Sequence, residues 1–353
     1  MFLCQHSRRF SSNPFCIKFI ELLISMVFDR GMQSSRAQTL IYLALLAVSL
    51  CLSLYLFLSN PWAASDLETD SYIWFLEFSR TIFQPQSAYY AESILLPLLA
   101  KILGATKALK TYKLLCGLFT ICILPIISIF AQRYFQNLFK TLLFIVLFGL
   151  SFQYLQYYIL GFPDPLTILL LVLAVFQKRL AAMFALLVLA MLSHFSMAAL
   201  SVLGLVGLVY FSPNAGLDSR KKLVGIALAA IIAGKALLLA WYAVFHYQLL
   251  SRLDWALGKG YIFFLERYEI NMAGFWLTPG IPFLALYFLI AAYFLMQKKF
   301  AYVFSAILAL AIAYVALFWT VDGLRVFAVV IAAPFAYLLL SFINSLSFWK
   351  AAK

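Results

Sequence analysis

The sequence predicts an all-helical fold, a polytopic transmembrane bundle of about ten spans. The 353 residues are 65% hydrophobic and only 11% charged, whereas soluble domains carry about 25% charged residues. Long apolar stretches recur from residue 38 to residue 343, without the alternation that barrel strands would show. Because a bilayer requires backbone polar groups to pair within each segment, these stretches should be helices.

The chain divides into one membrane domain, residues 38–343, between a 37-residue N-terminal segment and a short tail, 344–353. We expect residues 1–37 to be cytoplasmic or interfacial, with Met26 or Met32 as alternative start sites. In chain order, the predicted spans are 38–59, 112–130, 141–160, 163–177, 180–194, 195–211, 222–245, 278–296, 300–319 and 325–343.

Lysine and arginine in the short loops predict the orientation. With the N-terminus in the cytoplasm, 16 of the 26 basic residues lie on the inner side, in turns such as Q-K-R, S-R-K-K and Q-K-K. Basic residues so placed indicate orientation and contact with anionic lipid rather than nucleic-acid binding. Ten of the 13 acids then fall on the outer side: Asp66, Glu68, Asp70, Glu77, Glu92, Asp164, Asp254, Glu266, Glu269 and Asp322. We expect a bacterial inner-membrane protein whose chemistry faces outward.

One outer segment departs from this charge rule. Lys107, Lys110 and Lys113 follow the run S-I-L-L-P-L-L-A-K-I-L-G, which has about 12 apolar residues and a proline. A run of that length is too short for a span, so we expect an interfacial or re-entrant segment.

The larger outer loops, 60–111 and 246–277, mix aromatic and charged residues, as helices in the headgroup layer do. The first of them contains S-D-L-E-T-D-S-Y-I-W-F, with Asp66, Glu68 and Asp70. Paired carboxylates could supply a general base or hold a divalent cation, Mg²⁺ or Mn²⁺. The alternative is a solvated loop face.

Two further candidates lie at predicted outer turns. In G-F-P-D-P, Asp164 is predicted to cap the following helix with Pro165 at its first position, although a capping aspartate can also line a site. In L-S-H-F-S, His194 is either a hydrogen-bonded structural residue or a contact for a phosphate or sugar hydroxyl.

Basic side chains complete the candidate set. Lys235 lies within an apolar span, where a lysine either marks an anionic partner such as a lipid phosphate, pairs with an acid, or extends its charge towards the interface. Asp322 and Arg325 flank a glycine turn, and an arginine there suits either a phosphate or a local ion pair. Lys101 belongs to the basic outer segment.

The sequence contains no G-x-x-x-x-G-K-[ST] loop and no G-x-G-x-x-G. A transferase whose site faces outward would therefore take its activated donor from the membrane.

The order of these features resembles the GT-C superfamily of membrane glycosyltransferases, which take sugars from polyprenyl-phosphate carriers. The resemblance is carried by the acidic loop D-L-E-T-D-S-Y-I-W-F, the amphipathic L-L-P-L-L-A-K-I-L-G and the D-P turn. T-D-S-Y-I-W-F and L-A-M-L-S-H-F-S-M-A-A-L are also similar to EpsG-like polymerases. Those usually carry an arginine where this chain has G-F-P-D-P, which favours the transferase.

The resemblance implies an inverting glycosyltransferase acting between a polyprenyl-phosphate sugar donor and a glycan or glycolipid acceptor of the cell envelope. Its catalytic carboxylate would be Asp70 or Asp66. Glu68, Asp164, His194, Lys235, Asp322, Arg325 and Lys101 would bind the substrate or the lipid phosphate. An EpsG/Wzy-like polysaccharide polymerase is the alternative, and a membrane transporter or lipid flippase is the alternative of another class.

Overall fold

A computed structural model describes residues 36–59, 69–85, 91–153, 162–213, 216–248, 280–318 and 323–346, together with single positions between 258 and 269. Twelve α-helices account for most of these residues, and no β-strand occurs among them. In chain order, they are α1 Arg36–Leu58, α2 Thr69–Arg80, α3 Leu95–Ile102, α4 Leu109–Phe135, α5 Leu138–Phe148, α6 Asp164–Val175, α7 Leu180–Ser193, α8 Phe195–Tyr210, α9 Leu217–Val244, α10 Gly280–Met296, α11 Phe300–Phe318 and α12 Gly323–Ser345.

Each of the ten apolar segments overlaps one of these helices, so their described residues are largely helical, whereas residues 154–160 of the predicted span 141–160 lie outside the described part of the chain. Length and composition support a membrane crossing for five of them, in α1, α4, α9, α11 and α12. The other five apolar helices have only 10–17 residues. The structure therefore fits an integral membrane protein with five candidate spans. The described residues contain ten apolar helices, but only five of them are long enough to support the expected membrane crossings.

The helix ends lie at two opposite ends of the bundle. At one end, which we call the basic end, the Tyr293 hydroxyl of α10 donates to the Ser345 carbonyl of α12, and Arg220 of α9 donates to the Tyr210 carbonyl of α8. The described charges there are Arg133, Lys140, Lys178, Arg179, Asp218, Arg220, Lys221, Lys222, Lys298 and Lys299. The opposite end, which we call the site end, carries the start of α6, the α7–α8 turn and the start of α12.

Helices α6 and α12 form the centre of the bundle. Every residue of α6 from Asp164 to Ala174 is buried, and 89% of the apolar window of α12 is buried. Helices α1 and α9 are peripheral, because only 22% of the corresponding window is buried in each. A charge at the first turn of α6 or α12 is therefore enclosed by protein rather than by solvent or lipid.

The helices around this centre differ greatly in length. Lys235 of α9 contacts Phe195, the first residue of α8, and nine further residues of α9 follow Lys235. At 1.5 Å per residue, α9 extends about 14 Å beyond this contact. The first turn of α8 is therefore recessed below the site end of its long neighbour.

A proline in α4 explains one contact between the long helices. Pro125 has no N–H to donate, so it leaves the Ile121 carbonyl, four residues earlier, without its helical partner. The Ser53 hydroxyl of α1 donates to that carbonyl at 2.8 Å. About two turns further along α4, the Ser49 hydroxyl lies 3.3 Å from the Ser128 hydroxyl. These hydrogen bonds set the register of α1 on α4.

Candidate functional site

A buried ion pair joins the two central helices at the site end. Arg325 Nη1 of α12 lies 2.9 Å from Asp164 Oδ2 and 3.1 Å from Oδ1. The side chains are 13% and 5% exposed, respectively. Asp164 is the first residue of α6, where the positive end of the helix dipole also favours a carboxylate. The prediction for this turn was wrong by one position, because Pro163 occupies the N-cap and Pro165 the second helical position.

Aromatic rings enclose this ion pair on one side. The Arg325 guanidinium lies 4.2 Å from the centroid of the Phe162 ring. Phe162 in turn packs edge-on against Phe75 of α2, with ring centroids 5.3 Å apart. The cation–π contact and the ion pair together hold the guanidinium in one orientation. Helix α2, which begins at Thr69, therefore packs close to the ion pair.

Hydroxyl groups connect the start of α6 to the end of α7. The Thr167 hydroxyl lies 2.8 Å from Ser193 Oγ, and both hydroxyls lie within hydrogen-bond distance of the Pro163 carbonyl. Pro163 directly precedes Asp164, Ser193 directly precedes His194, and Thr167 lies one turn after Pro163. This buried cluster fixes the α7–α8 turn beside the first turn of α6.

His194 is the single residue between α7 and α8. Its φ of −159° and ψ of 96° are extended, so the chain reverses from one helix to the next within one residue. The His194 N–H donates to the Ala190 carbonyl, and its own carbonyl accepts from the Ala198 N–H. The side chain is buried, with 5% of its surface exposed. The structure therefore places a buried imidazole at the same end as Asp164 and Arg325.

Glu92, in the segment before α3, forms hydrogen bonds with the first two residues of α8. Its carbonyl accepts the Phe195 N–H at 3.1 Å, and its carboxylate accepts the Ser196 hydroxyl. The residue is buried. The Glu92 carbonyl thus satisfies one backbone donor that the start of α8 leaves open, and its carboxylate lies at the positive end of the helix dipole. Glu92 thus replaces the side-chain cap that His194 does not provide.

Lys235 adds a cation to the same region. Its Nζ lies 4.7 Å from the centroid of the Phe195 ring. Phe195 follows His194 directly, and its N–H donates to the Glu92 carbonyl. A continuous chain of contacts therefore runs from Lys235 through the α7–α8 turn and α6 to Arg325.

Helices α2 and α3 pack together beside this cluster. Lys101 Nζ donates to the Arg80 carbonyl at 2.7 Å, and Arg80 Nε donates to the Thr106 carbonyl at 2.9 Å. The Tyr247 hydroxyl, just after α9, donates to the Ile82 carbonyl at 2.6 Å. Burial raises the pKa of Tyr247 above its ordinary value, so the phenol remains a hydrogen-bond donor in this contact. Lys101 thus stabilises the end of α2.

The structure brings together Asp164, His194, Lys235 and Arg325 from the predicted set, and it places Lys101 on α3. Asp66, Glu68 and Asp322 lie outside the described residues. Asp70 belongs to the first turn of α2, but the described side chains of that helix begin at Tyr72. Among the described residues, no group of three His, Cys, Asp or Glu side chains could hold a metal ion.

Sequence reasoning did not select Glu92, Thr167 or Phe195 for the site. Glu92 appeared only as one of ten outer acids, and its position before the amphipathic run L-L-P-L-L-A-K-I was the available signal. Thr167 and Phe195 look like ordinary apolar-helix residues in the sequence. Their roles depend on contacts with segments 26 and 103 residues away along the chain.

The cluster can orient an anionic group and a hydroxyl. The guanidinium and the ammonium suit a phosphate, and the carboxylates and hydroxyls suit sugar hydroxyls. Comparisons with protein-family models, with curated proteins and with solved structures give no match for this chain.

Proposed function

We propose that this chain is an integral-membrane glycosyltransferase that moves a sugar from a polyprenyl-phosphate-type lipid donor to a glycan or glycolipid of the cell envelope. The proposal places the reaction at the site end of the bundle, on the extracytoplasmic face. An arginine held by a buried carboxylate, a buried histidine, a recessed lysine and a buried glutamate converge there.

The observation that carries the proposal is the Asp164–Arg325 pair between the two most buried helices. An ion pair inside an apolar bundle gains little net stability, because both charges lose their hydration. Ionisable groups at membrane depth by default mark a functional site. A guanidinium also presents several N–H donors in the planar arrangement that suits phosphate oxygens.

In the proposed reaction, a carboxylate of the first outer loop, Asp70 or Asp66, takes the proton of an acceptor hydroxyl. That oxygen forms a bond to the anomeric carbon while the bond from this carbon to the phosphate oxygen breaks, with inversion. The electron pair leaves on the polyprenyl phosphate, whose charge Arg325 stabilises. The contact between Phe75 of α2 and Phe162, beside Arg325, favours Asp70, which lies on α2, as this base.

The recess favours a lipid-borne donor over a soluble one. Lys235 lies on the peripheral helix α9, between exposed residues such as Ile232 and Leu237, and its ammonium points to the α8 start. A phosphate that enters from the lipid side would meet this cation before it met Arg325. We therefore assign Lys235 to capture of the donor and Arg325 to the leaving group.

The test uses purified protein in lipid nanodiscs with radiolabelled sugars on short polyprenyl-phosphate carriers. We expect consumption of one such donor and transfer of its label to lipid or glycan extracts. A transporter would leave every donor chemically intact, whereas a polymerase would require a diphosphate-linked oligosaccharide and would lengthen it.

Four variants locate the chemistry. Asp70→Asn or Asp66→Asn should lower turnover by about 10²- to 10⁴-fold, the usual contribution of a general base. Arg325→Gln should lower turnover as well, whereas Lys221→Gln, an exposed charge change at the basic end, should not. Full activity in both aspartate variants would exclude a base in the first outer loop. Intact donor in every wild-type assay would refute the proposed function.

A further inference from the structure

Three lysines at the start of α4 are not used by the candidate site. Lys107 ends the short 3₁₀ turn Ala105–Lys107, and Lys110 and Lys113 lie in the first turns of α4. These are the basic residues that depart from the expected charge distribution between the two sides. Lys107 and Lys110 are exposed, and Lys113 is half-buried with its Nζ 4.9 Å from the centroid of the Tyr72 ring.

The neighbouring cations Arg80 and Lys101 have structural partners, whereas these three lysines have no acidic partner among the described residues. Arg80 pairs with Glu77 and binds carbonyls of the 3₁₀ turn, and Lys101 binds the Arg80 carbonyl. Within the described part of the chain, no carboxylate forms an ion pair with Lys107, Lys110 or Lys113. The start of α4 therefore presents net positive charge.

The same side of α4 becomes apolar immediately below these lysines. Leu114 and Gly117 follow Lys110 at intervals of four and three residues, so all three share one helix face, and α1 packs on the same face one turn further on, at Ile121. Leu114 is 38% exposed, and Gly117 has open space where a side chain would begin. The lysines suit the phosphate of a lipid headgroup. The apolar face below them, with the open space at Gly117, suits an acyl chain.

We propose that this surface, which we call the α4 lipid face and define as Lys107, Lys110, Lys113, Leu114 and Gly117, binds an anionic glycerophospholipid. The lysines contact the headgroup phosphate, and one acyl chain runs past Leu114 into the notch at Gly117. Each lysine near an anionic lipid surface contributes about 1 kcal/mol at low salt.

Depth distinguishes this lipid from the glycosyl donor. The α4 lipid face begins at the first turn of a 27-residue helix that is long and apolar enough to cross a membrane, so its lysines suit contact with headgroups. The cluster of Asp164 and Arg325 begins at the starts of central, enclosed helices, next to the recessed start of α8. A phospholipid on α4 would therefore bind outside the site.

The test measures phospholipid binding by native mass spectrometry of the purified protein in neutral detergent. The ligands are dioleoyl-phosphatidylglycerol and dioleoyl-phosphatidylcholine, titrated separately. We expect the wild type to retain one tightly bound phosphatidylglycerol, which the triple variant Lys107→Gln, Lys110→Gln, Lys113→Gln loses. Because the contributions of three lysines at about 1 kcal/mol each add, the affinity should fall on the order of a hundredfold at low salt.

A second variant tests the contribution of the surface shape to lipid binding separately from that of the lysine charges. Gly117→Leu fills the notch and leaves every lysine in place, so it should also weaken phosphatidylglycerol binding. Gly225→Leu is the matched control, because no atom lies within 4 Å of the point that a Cβ at Gly225 would occupy. A triple change at the basic end, Lys221→Gln, Lys222→Gln, Lys298→Gln, is the control for net charge.

Four outcomes would overturn the inference. They are equal binding of phosphatidylcholine, unchanged phosphatidylglycerol binding in both the triple variant and Gly117→Leu, an equal loss in the basic-end control, and displacement of phosphatidylglycerol by equimolar polyprenyl phosphate. The last outcome would identify the α4 lipid face as part of the donor site. None of these measurements depends on glycosyl transfer.

Discussion

At the scale of single residues, the Asp164–Arg325 pair is the most informative contact in the molecule. The two side chains are separated by 161 positions in the chain and are nearly enclosed by protein. A pair in such an environment is close to neutral for stability when it is intact, and it becomes costly when one partner is removed. Stability and function can therefore be separated by changing one partner or both.

We expect Asp164→Asn to lower the free energy of unfolding by about 3–5 kcal/mol, because it leaves the Arg325 charge without its counter-ion in a buried position. The double variant Asp164→Leu, Arg325→Leu should recover most of that loss, since it removes both charges from the bundle. Thermal unfolding in detergent measures both effects.

The same double variant decides what the pair is for. If Arg325 binds the donor phosphate, the double variant is folded and inactive in the transfer assay. A folded double variant with wild-type activity would make the pair a structural contact only and would contradict the assignment of Arg325.

At the scale of helices, close packing depends on glycine at one crossing. A Cβ at Gly234 of α9 would lie 2.4 Å from the Cβ of Met191 on α7. Real atoms do not approach that closely, so any side chain there forces the two helices apart. Lys235, the next residue, depends on this crossing for its contact with Phe195.

Gly234→Ala should therefore destabilise the protein by about 1–3 kcal/mol. It should also weaken donor capture by moving Lys235. Gly225→Ala on the same helix is the matched control, since nothing lies near that position and alanine favours the helix. Thermal unfolding of the two variants in one detergent makes the comparison, and equal unfolding midpoints would contradict the packing argument.

At the scale of the whole molecule, the basic end holds nine described Lys and Arg residues and one acid, Asp218. This distribution favours a cytoplasmic basic end. The site end would then face the cell exterior or periplasm, which is the side that the proposed lipid-linked donor requires.

Labelling of single cysteines tests this orientation in a cysteine-free background. We expect Lys298→Cys to react with a membrane-impermeant maleimide only after the membrane is opened. Lys107→Cys, at the other end of the bundle, should react in intact cells or spheroplasts. Labelling in the opposite pattern would place the site in the cytoplasm and would remove the reason for a lipid-borne donor.

Part of the site could be predicted from the sequence, and part could not. Asp164, His194, Lys235 and Arg325 were predicted because a charge or an imidazole in an apolar segment is costly enough to suggest a function. The partner of Arg325 was not predictable, since the candidates were Asp322 three residues away and a phosphate, whereas the structure supplies Asp164. Glu92 was missed because an acid in a loop carries no signal until its neighbours are known.

The sequence alone determined that the described chain is helical and apolar, which segments form its long helices, and that charge is unequal between their ends. Each of these follows from local composition, because hydropathy and backbone pairing act within one segment. Only the tertiary structure decided which charges meet, that α6 and α12 are central, and that α8 begins in a recess beside α9. Those properties depend on helix packing between distant segments, which the order of apolar residues along one helix does not specify.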